Sequence, residues 1–354
     1  MRLHRCSRLL LTLFTCGILI CFHVACARDS RNRRANAVVA VGPRLSSLPA
    51  THRHDFEQTV FGRTFRLTLY ADSPARAEEA ANAVGARLED LSAKLDAARI
   101  DSELSRLCAD AGGPWTKVSD ELLQLLQQTR RLSELHGGAA DVTAGPEAEL
   151  WRRAFEAGTL PPEQSLDDAR AVVGWQMVQV DPIERRVRLL LPGMRVDFDQ
   201  RAVAYAADRA IEEMSRHGVT SALVDAGDVT AASGPPPGRK GWPFTLPPAG
   251  PKGQAQTIDL RDGAVVRLGD GARAKAIAGR RYSDHVNSRT GLGIMPPANR
   301  PSAAFPVATT VTAGKAFPAA QGASLAMTLP PDRLAVLLAV PTGATLQMRP
   351  PMPK

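Results

Sequence analysis

The chain has 354 residues, a formal net charge of +8, 44% hydrophobic and 5% aromatic residues. That is enough apolar material for one packed core, resting on Leu, Val and Ala. The charge does not argue for nucleic acid, because many of the arginines (Arg28, Arg31, Arg33, Arg34, Arg44) lie in or just after the N-terminal leader with no aromatics between them. In chain order, Arg2, His4, Arg5 and Arg8 precede an apolar run from Leu9 to Cys21 and the small-x-small site Ala25-Cys-Ala27. Residues 1–27 therefore read as an export signal cleaved after Ala27. A retained anchor and a lipoprotein acylated at Cys26 are the alternatives. Cleavage leaves Cys108 as the lone cysteine, which excludes an intramolecular disulfide and reads as structural.

Residues 28–55 are polar and Arg-rich and are expected to form a flexible tether, followed by one domain over 56–350, with order starting near Phe61. Phe65, Leu67 and Leu69 alternate, as in a half-buried strand. Pro74 to Ala98 carries Val84, Leu88, Leu91 and Leu95 at helical spacing. Asp120 to His136 does the same with Leu122, Leu125, Leu126, Thr129 and Leu132, and Gly137-Gly138 stops it. A hairpin over 177–191, a third helix over 201–217 and a buried strand over 221–226 follow, with an exposed turn at Pro235–Gly238. The remainder reads as short strands: 264–268, 309–312, 334–340 and 344–348. Strands and helices mix without a regular βαβ beat, so the expected class is α+β.

Five segments stand in a fixed order: Gly138-Ala-Ala-Asp-Val-Thr-Ala-Gly-Pro146, Arg195-Val-Asp-Phe-Asp-Gln-Arg-Ala-Val-Ala-Tyr-Ala-Ala-Asp208, Ala222-Leu-Val-Asp-Ala-Gly-Asp228, Arg281-Tyr-Ser-Asp-His-Val-Asn-Ser-Arg-Thr-Gly291 and the run from Thr310 to Ala326. Taken singly, each reads as well as a capped turn, a strand end or a helix start. Together, over roughly residues 60–340, they resemble the FAD:protein FMN transferases, the family first described as thiamine-biosynthesis lipoproteins.

The resemblance implies a magnesium-dependent reaction. A threonine hydroxyl on a target protein attacks the FMN-side phosphorus of FAD and AMP leaves. A cation offsets the pyrophosphate charge and a base takes the hydroxyl proton. It places Asp141, Thr143, Asp197, Asp225, Gly227, Tyr282, Thr290 and Gly291 at the flavin nucleotide. For the metal it points to the backbone carbonyl of Gln200, to Ser324, and to Ala320 at the position of the family's aspartate ligand. The partners implied are a flavin nucleotide, a target protein with an acceptor threonine, and a membrane near the N-terminus on the periplasmic side.

Several positions depart from the family pattern. In Asp-Leu-Gly-Gly-Ile-Ala-Lys-Gly, the glycines become Asp199 and Gln200, the lysine Val203 and the last glycine Ala204. Asp228 replaces a glycine and Val229 an aspartate of Asp-Ala-Gly-Gly-Asp. Phe61, Ala98 and Ala140 replace a methionine and two aromatics. His285, the candidate for the base, is displaced by one from the family histidine, whose position Asp284 holds. Within a strand, one residue of slip turns a side chain to the opposite face unless a bulge intervenes. The sequence thus predicts an FMN transferase by descent with impaired chemistry. The alternatives are an active enzyme with substituted ligands (Asp199, Asp228 or Asp284) and a non-catalytic flavin-binding or adaptor protein.

Overall fold

A hairpin opens the fold: strands β1 (His52–Val60) and β2 (Arg63–Ala71) pair antiparallel along their full length, from Val60 opposite Arg63 to His52 opposite Ala71. Phe61 and Gly62 at the turn have φ of +53° and +62°, the paired left-handed residues that match the twist of a two-residue hairpin. The computed structural model describes residues 50–248, 254–269, 274–283, 285–288, 290–293, 308–329 and 345–349, all within one compact unit, Pro49–Lys354. The leader, most of the expected tether, the expected strand 334–340, Asp284 and Arg289 lie outside the described residues. β1 begins inside the stretch expected to be a tether. Its alternation is carried by charged residues (Arg53, Asp55, Glu57), which protect an exposed sheet edge and hide the strand from a hydrophobic pattern.

The other strands are β3 (Thr116–Lys117), β4 (Val178–Asp181), β5 (Arg186–Leu189), β6 (Ala222–Asp225), β7 (Val229–Ser233), β8 (Trp242–Leu246), β9 (Gln256–Leu260), β10 (Gly263–Gly269), β11 (Ala274–Ile277), β12 (Arg280–Ser283), β13 (Val286–Asn287), β14 (Leu292–Gly293), β15 (Ala308–Ala313) and β16 (Thr345–Arg349). The helices are α1 (Pro74–Leu95), α2 (Glu103–Ala109), α3 (Asp120–Leu135), α4 (Gly145–Ala157), α5 (Glu163–Arg170), α6 (Gln200–Arg216) and α7 (Ala316–Thr328). The main sheet is antiparallel with order β1-β2-β6-β7-β10-β15-β16. Its strands alternate faces. Leu67, Val224, Ala231 and Val266 join the core beneath the helices, while Leu223, Ala232 and Val265 pack with Trp242 and Leu246 of the β8–β9 hairpin. The fold is α+β, as expected.

α6 is the central helix. Ala202 to Ala207, Ala210 and Met214 are all buried, so its first half is buried on every side while most of its charges gather in the second half, and it packs against α1, α7, β6 and β7. α7 packs against it. Asp208 of α6 caps the first turn of α7, and Tyr205 meets Phe317 edge-on at 5.9 Å. The region around α7 was expected to hold only short strands. Ala316, Ala319, Ala320 and Ala323 present no amphipathic stripe because the helix is buried except along Pro318, Gln321 and Gly322, which carry no charge. α2, α4 and α5 were also not expected. In α4, Gly145-Pro146 reads as a turn, but proline at the first helical positions starts a helix.

Candidate functional site

Two adjoining hollows share Arg152, Asp197 and Asp199, and together form one cleft at the N-terminus of α6. The first, about 510 Å³ of empty space open to solvent, is lined by Asp141, Ala144, Arg201 and His285 among others. The second, about 600 Å³, extends past Arg63, Phe61, Ala98 and Val203. Three separate stretches of chain build the walls. The loop before α4 is tied to the loop before α6 by the Asp197 N–H donating to the Val142 carbonyl at 2.8 Å and by a parallel bridge between Ala144 and Arg195. The 285–291 segment is tied to the same loop by Ser288. Its Oγ accepts from Asp141 N–H at 3.1 Å and donates to the Gly138 carbonyl at 2.8 Å.

The backbone at the cleft is strained. Phe61, Ala140 and Asp199 have φ of +53°, +55° and +48°, and Asp199 (ψ −128°) holds a conformation that belongs to glycine. The family motif has glycine there. Asp199 keeps the glycine path, adds a carboxylate to the cleft, and places its Oδ2 3.7 Å from Nδ1 of His285. His285 is buried and lines the cleft. The expectation that its displacement turns it away fails, because His285 precedes the two-residue strand β13 and strand alternation does not govern it.

Asp141 accepts from the N–H and Oγ1 of Thr143, both at 2.8 Å. Burial pushes its carboxyl above the usual range, opposed by those bonds and by Arg201. Thr143 is fully buried and its Oγ1 accepts from Gly174 N–H, so it holds the loop and offers no free hydroxyl. Asp197 pairs with Arg152 at 2.7 Å. Burial raises its carboxyl, Asp199 adds to the shift, and Arg152 opposes it.

The other expected residues do not line the cleft. Asp225 accepts from Gly227 N–H in a tight turn, and the Gly227 carbonyl accepts from Arg267. Asp228, which replaces a family glycine, is offset by Arg63 at 3.7 Å. Tyr282 stacks on Trp151 with centroids 5.1 Å apart, inside a satellite core with Leu166 and Ile277. Thr290 and Gly291 close the β13–β14 turn. Arg170 binds the Thr290 carbonyl, and the Trp151 indole donates to Gly291 at 2.9 Å. Gly291 (φ +65°) lies so close to Glu147 that a side chain there would collide with it.

The magnesium set implied by the resemblance does not fit these residues. Ala320 and Ser324, one turn apart on α7, are both buried, and together they supply a hydroxyl and a methyl. Gln200 opens α6, and its side chain is held by Arg63 at 3.0 Å and the Arg267 carbonyl. Among the described residues, no cluster of three His, Cys, Asp or Glu could hold a metal ion. A hard divalent cation prefers anionic oxygen, which position 320 cannot give.

Sequence reasoning missed the three arginines of the cleft, Arg63, Arg152 and Arg201, and Asp96. For Arg201 the sign is not periodic but a departure from the motif: a charge where the motif has isoleucine, just before a run of mostly small apolar residues.

The chain shares its fold, a seven-stranded antiparallel sheet backed by a buried helix, with solved flavin transferases. Residues 61–344 match the model of the ApbE family, and the chain belongs to it. It is 28% identical over 254 residues to an FAD:protein FMN transferase of Treponema pallidum, covering 66% of this chain and 69% of the relative. It is 25% identical over 273 residues to that of Haemophilus influenzae, covering 73% and 79%. The solved apo flavinyl transferase ApbE of Pseudomonas stutzeri superposes with a TM-score of 0.70 at 25% identity, covering 84% of this chain and 90% of that one. The flavin transferase ApbE of Vibrio cholerae shares the fold, with a TM-score of 0.72 at 21% identity, covering 84% and 93%.

Proposed function

We propose that the cleft binds FAD and that transfer of FMN to a threonine of a target protein is impaired in this chain. One observation carries the reading. The cleft is built from the matched segments around Asp141 and Asp197, yet Val203 lines it where the motif has lysine, and position 320 offers a methyl for a carboxylate. Binding needs a pocket, whereas phosphoryl transfer needs charge stabilisation in the transition state, and these substitutions remove the second.

The geometry of His285 favours a second reading, an active transferase. Its imidazole lines the cleft beside Asp199, where it would take the threonine proton as the hydroxyl oxygen bonds to phosphorus and the bond to AMP breaks. Titration of the purified full chain with FAD, with and without magnesium, followed by AMP detection after adding a threonine-bearing peptide, separates the two. Saturable binding without AMP release supports impairment; AMP release with flavinylated peptide supports the active enzyme.

The proposed location is outside the cytoplasm, at or near a membrane. It rests on the leader alone. No helix among the described residues is long and apolar enough to cross a membrane.

A further inference from the structure

Three arginines line the joined cleft: Arg63, Arg152 and Arg201. Two are already neutralised, Arg63 by Asp228 and Arg152 by Asp197 and Glu149. Arg201 differs. It is 5% exposed, and its contacts are to backbone carbonyls: Nη1 to Ala140 at 2.5 Å and Nε to Phe198 at 3.2 Å. Nη2 has no hydrogen-bond partner among the described residues, and no carboxylate among them makes a direct ion pair with it. The strained Ala140 turns its carbonyl toward this guanidinium. Burying a fixed charge is costly unless something offsets it, and here burial is opposed only through space, by Asp199, Asp197 and Asp141. The residue also stands in the first turn of a 17-residue helix, where backbone N–H groups and the helix dipole favour an anion.

We propose that Arg201 is the cleft's resident cation, which takes a phosphate oxygen of a bound nucleotide in place of the divalent metal ion for which position 320 no longer provides a ligand. A guanidinium cannot be removed by chelation and presents a planar fork that matches phosphate oxygens. The cleft also holds Asp96, Asp141, Asp197, Asp199 and His285. Asp197 is matched by Arg152, Asp199 lies beside His285, and burial shifts the Asp141 carboxyl toward its neutral form, all of which lower the repulsion a phosphate meets. The inference rests on the nucleotide-binding reading but names a different determinant, so the two can fail separately.

The test uses the full chain, with FAD and inorganic pyrophosphate as probes, in EDTA and in magnesium. FAD affinity equal in both buffers, and at least tenfold weaker in Arg201→Ile with partial recovery in Arg201→Lys, is the expected result. Arg201→Ile restores the motif's residue and its melting temperature reports folding. If it does not fold, the chelator comparison on the unaltered chain decides alone. Binding that requires magnesium, or affinity unchanged in folded Arg201→Ile, overturns the proposal. Arg201-dependent protection by pyrophosphate without FAD binding overturns the flavin reading while sustaining this one. Absence of binding by either probe overturns both.

Discussion

Asp208 and Phe317 tie the two buried helices together. The Asp208 carboxylate accepts from Phe317 N–H at 2.9 Å and, through its other oxygen, from Ala316 N–H at 2.7 Å. It thus satisfies two of the donors that a helix start leaves open, in a place water does not reach. Asp208→Ala should destabilise the fold by about 1–3 kcal/mol, because it orphans two buried N–H groups. Asp208→Asn should cost less. Chemical denaturation with far-UV detection measures both, and a loss below the range for Asp208→Ala would mean that α7 is held by its packing alone.

Glu147 gives the fold a pH dependence. It is fully buried, neither oxygen has a hydrogen-bond partner, and Arg170 lies 3.9 Å away. Burial pushes its carboxyl up from 4.5 to about 7. The native state therefore holds its proton more tightly than the unfolded chain. The stabilisation is complete below about pH 4.5, falls as pH rises through 7, and amounts to about 3 kcal/mol at that shift. Glu147→Gln should flatten this part of the stability profile and make the protein more stable than the parent at pH 8. Melting temperature against pH tests it; superimposable profiles would contradict the burial argument.

Asp199→Gly should raise stability by about 1 kcal/mol, since it relieves a left-handed backbone that glycine adopts without strain. The same change deletes the carboxylate beside His285. A variant more stable than its parent but weaker in any proton-dependent activity would separate the backbone role of this position from its side-chain role. A drop in melting temperature would show that the pair with His285 outweighs the strain.

Ala320→Asp alone should not restore FMN transfer. The new carboxylate would sit in a fully buried position beside Ser324, where an unpartnered charge costs several kcal/mol, about the size of a buried-charge penalty. Its stability should therefore become magnesium-dependent before its activity does. The combined variant Ala320→Asp, Asp199→Gly, Gln200→Gly, Val203→Lys should transfer better, since residues that act together are not repaired singly. In-gel flavin fluorescence of a threonine-bearing target peptide reads this out. Robust labelling by the unaltered chain would falsify the impairment reading, and labelling by the single variant would show that only the ligand was missing.

Legibility from sequence followed amphipathicity. α1, α3 and β2 each bury one stripe and expose the other, so Leu88 and Leu91, Leu125 and Leu126, and Phe65 and Leu67 stand out by spacing. α7 is mostly buried and its one open face, at Pro318, Gln321 and Gly322, carries no charge, so it lacks a stripe, and β1 is a charged edge without a hydrophobic period. The resemblance fixed the register of Asp141 and Asp197, and both line the cleft. Tyr282, expected at the flavin nucleotide, packs on Trp151, and a buried aromatic in a motif looks the same in sequence whichever it does. Arg201 was missed because one residue at the head of a run of alanines carries no periodic signal.

The hydrogen bond from Trp151 to Gly291, the stacking of Trp151 on Tyr282 and the absence of room for any side chain at 291 have a consequence for recognising such chains. These residues lock a turn onto α4 and need no ligand to be required. A chain could lose its turnover entirely and still be confined to this spelling by steric fit. Agreement over 281–291 therefore reports a chain that folds this way; whether it still works is written in the side chains at 199, 201, 203 and 320.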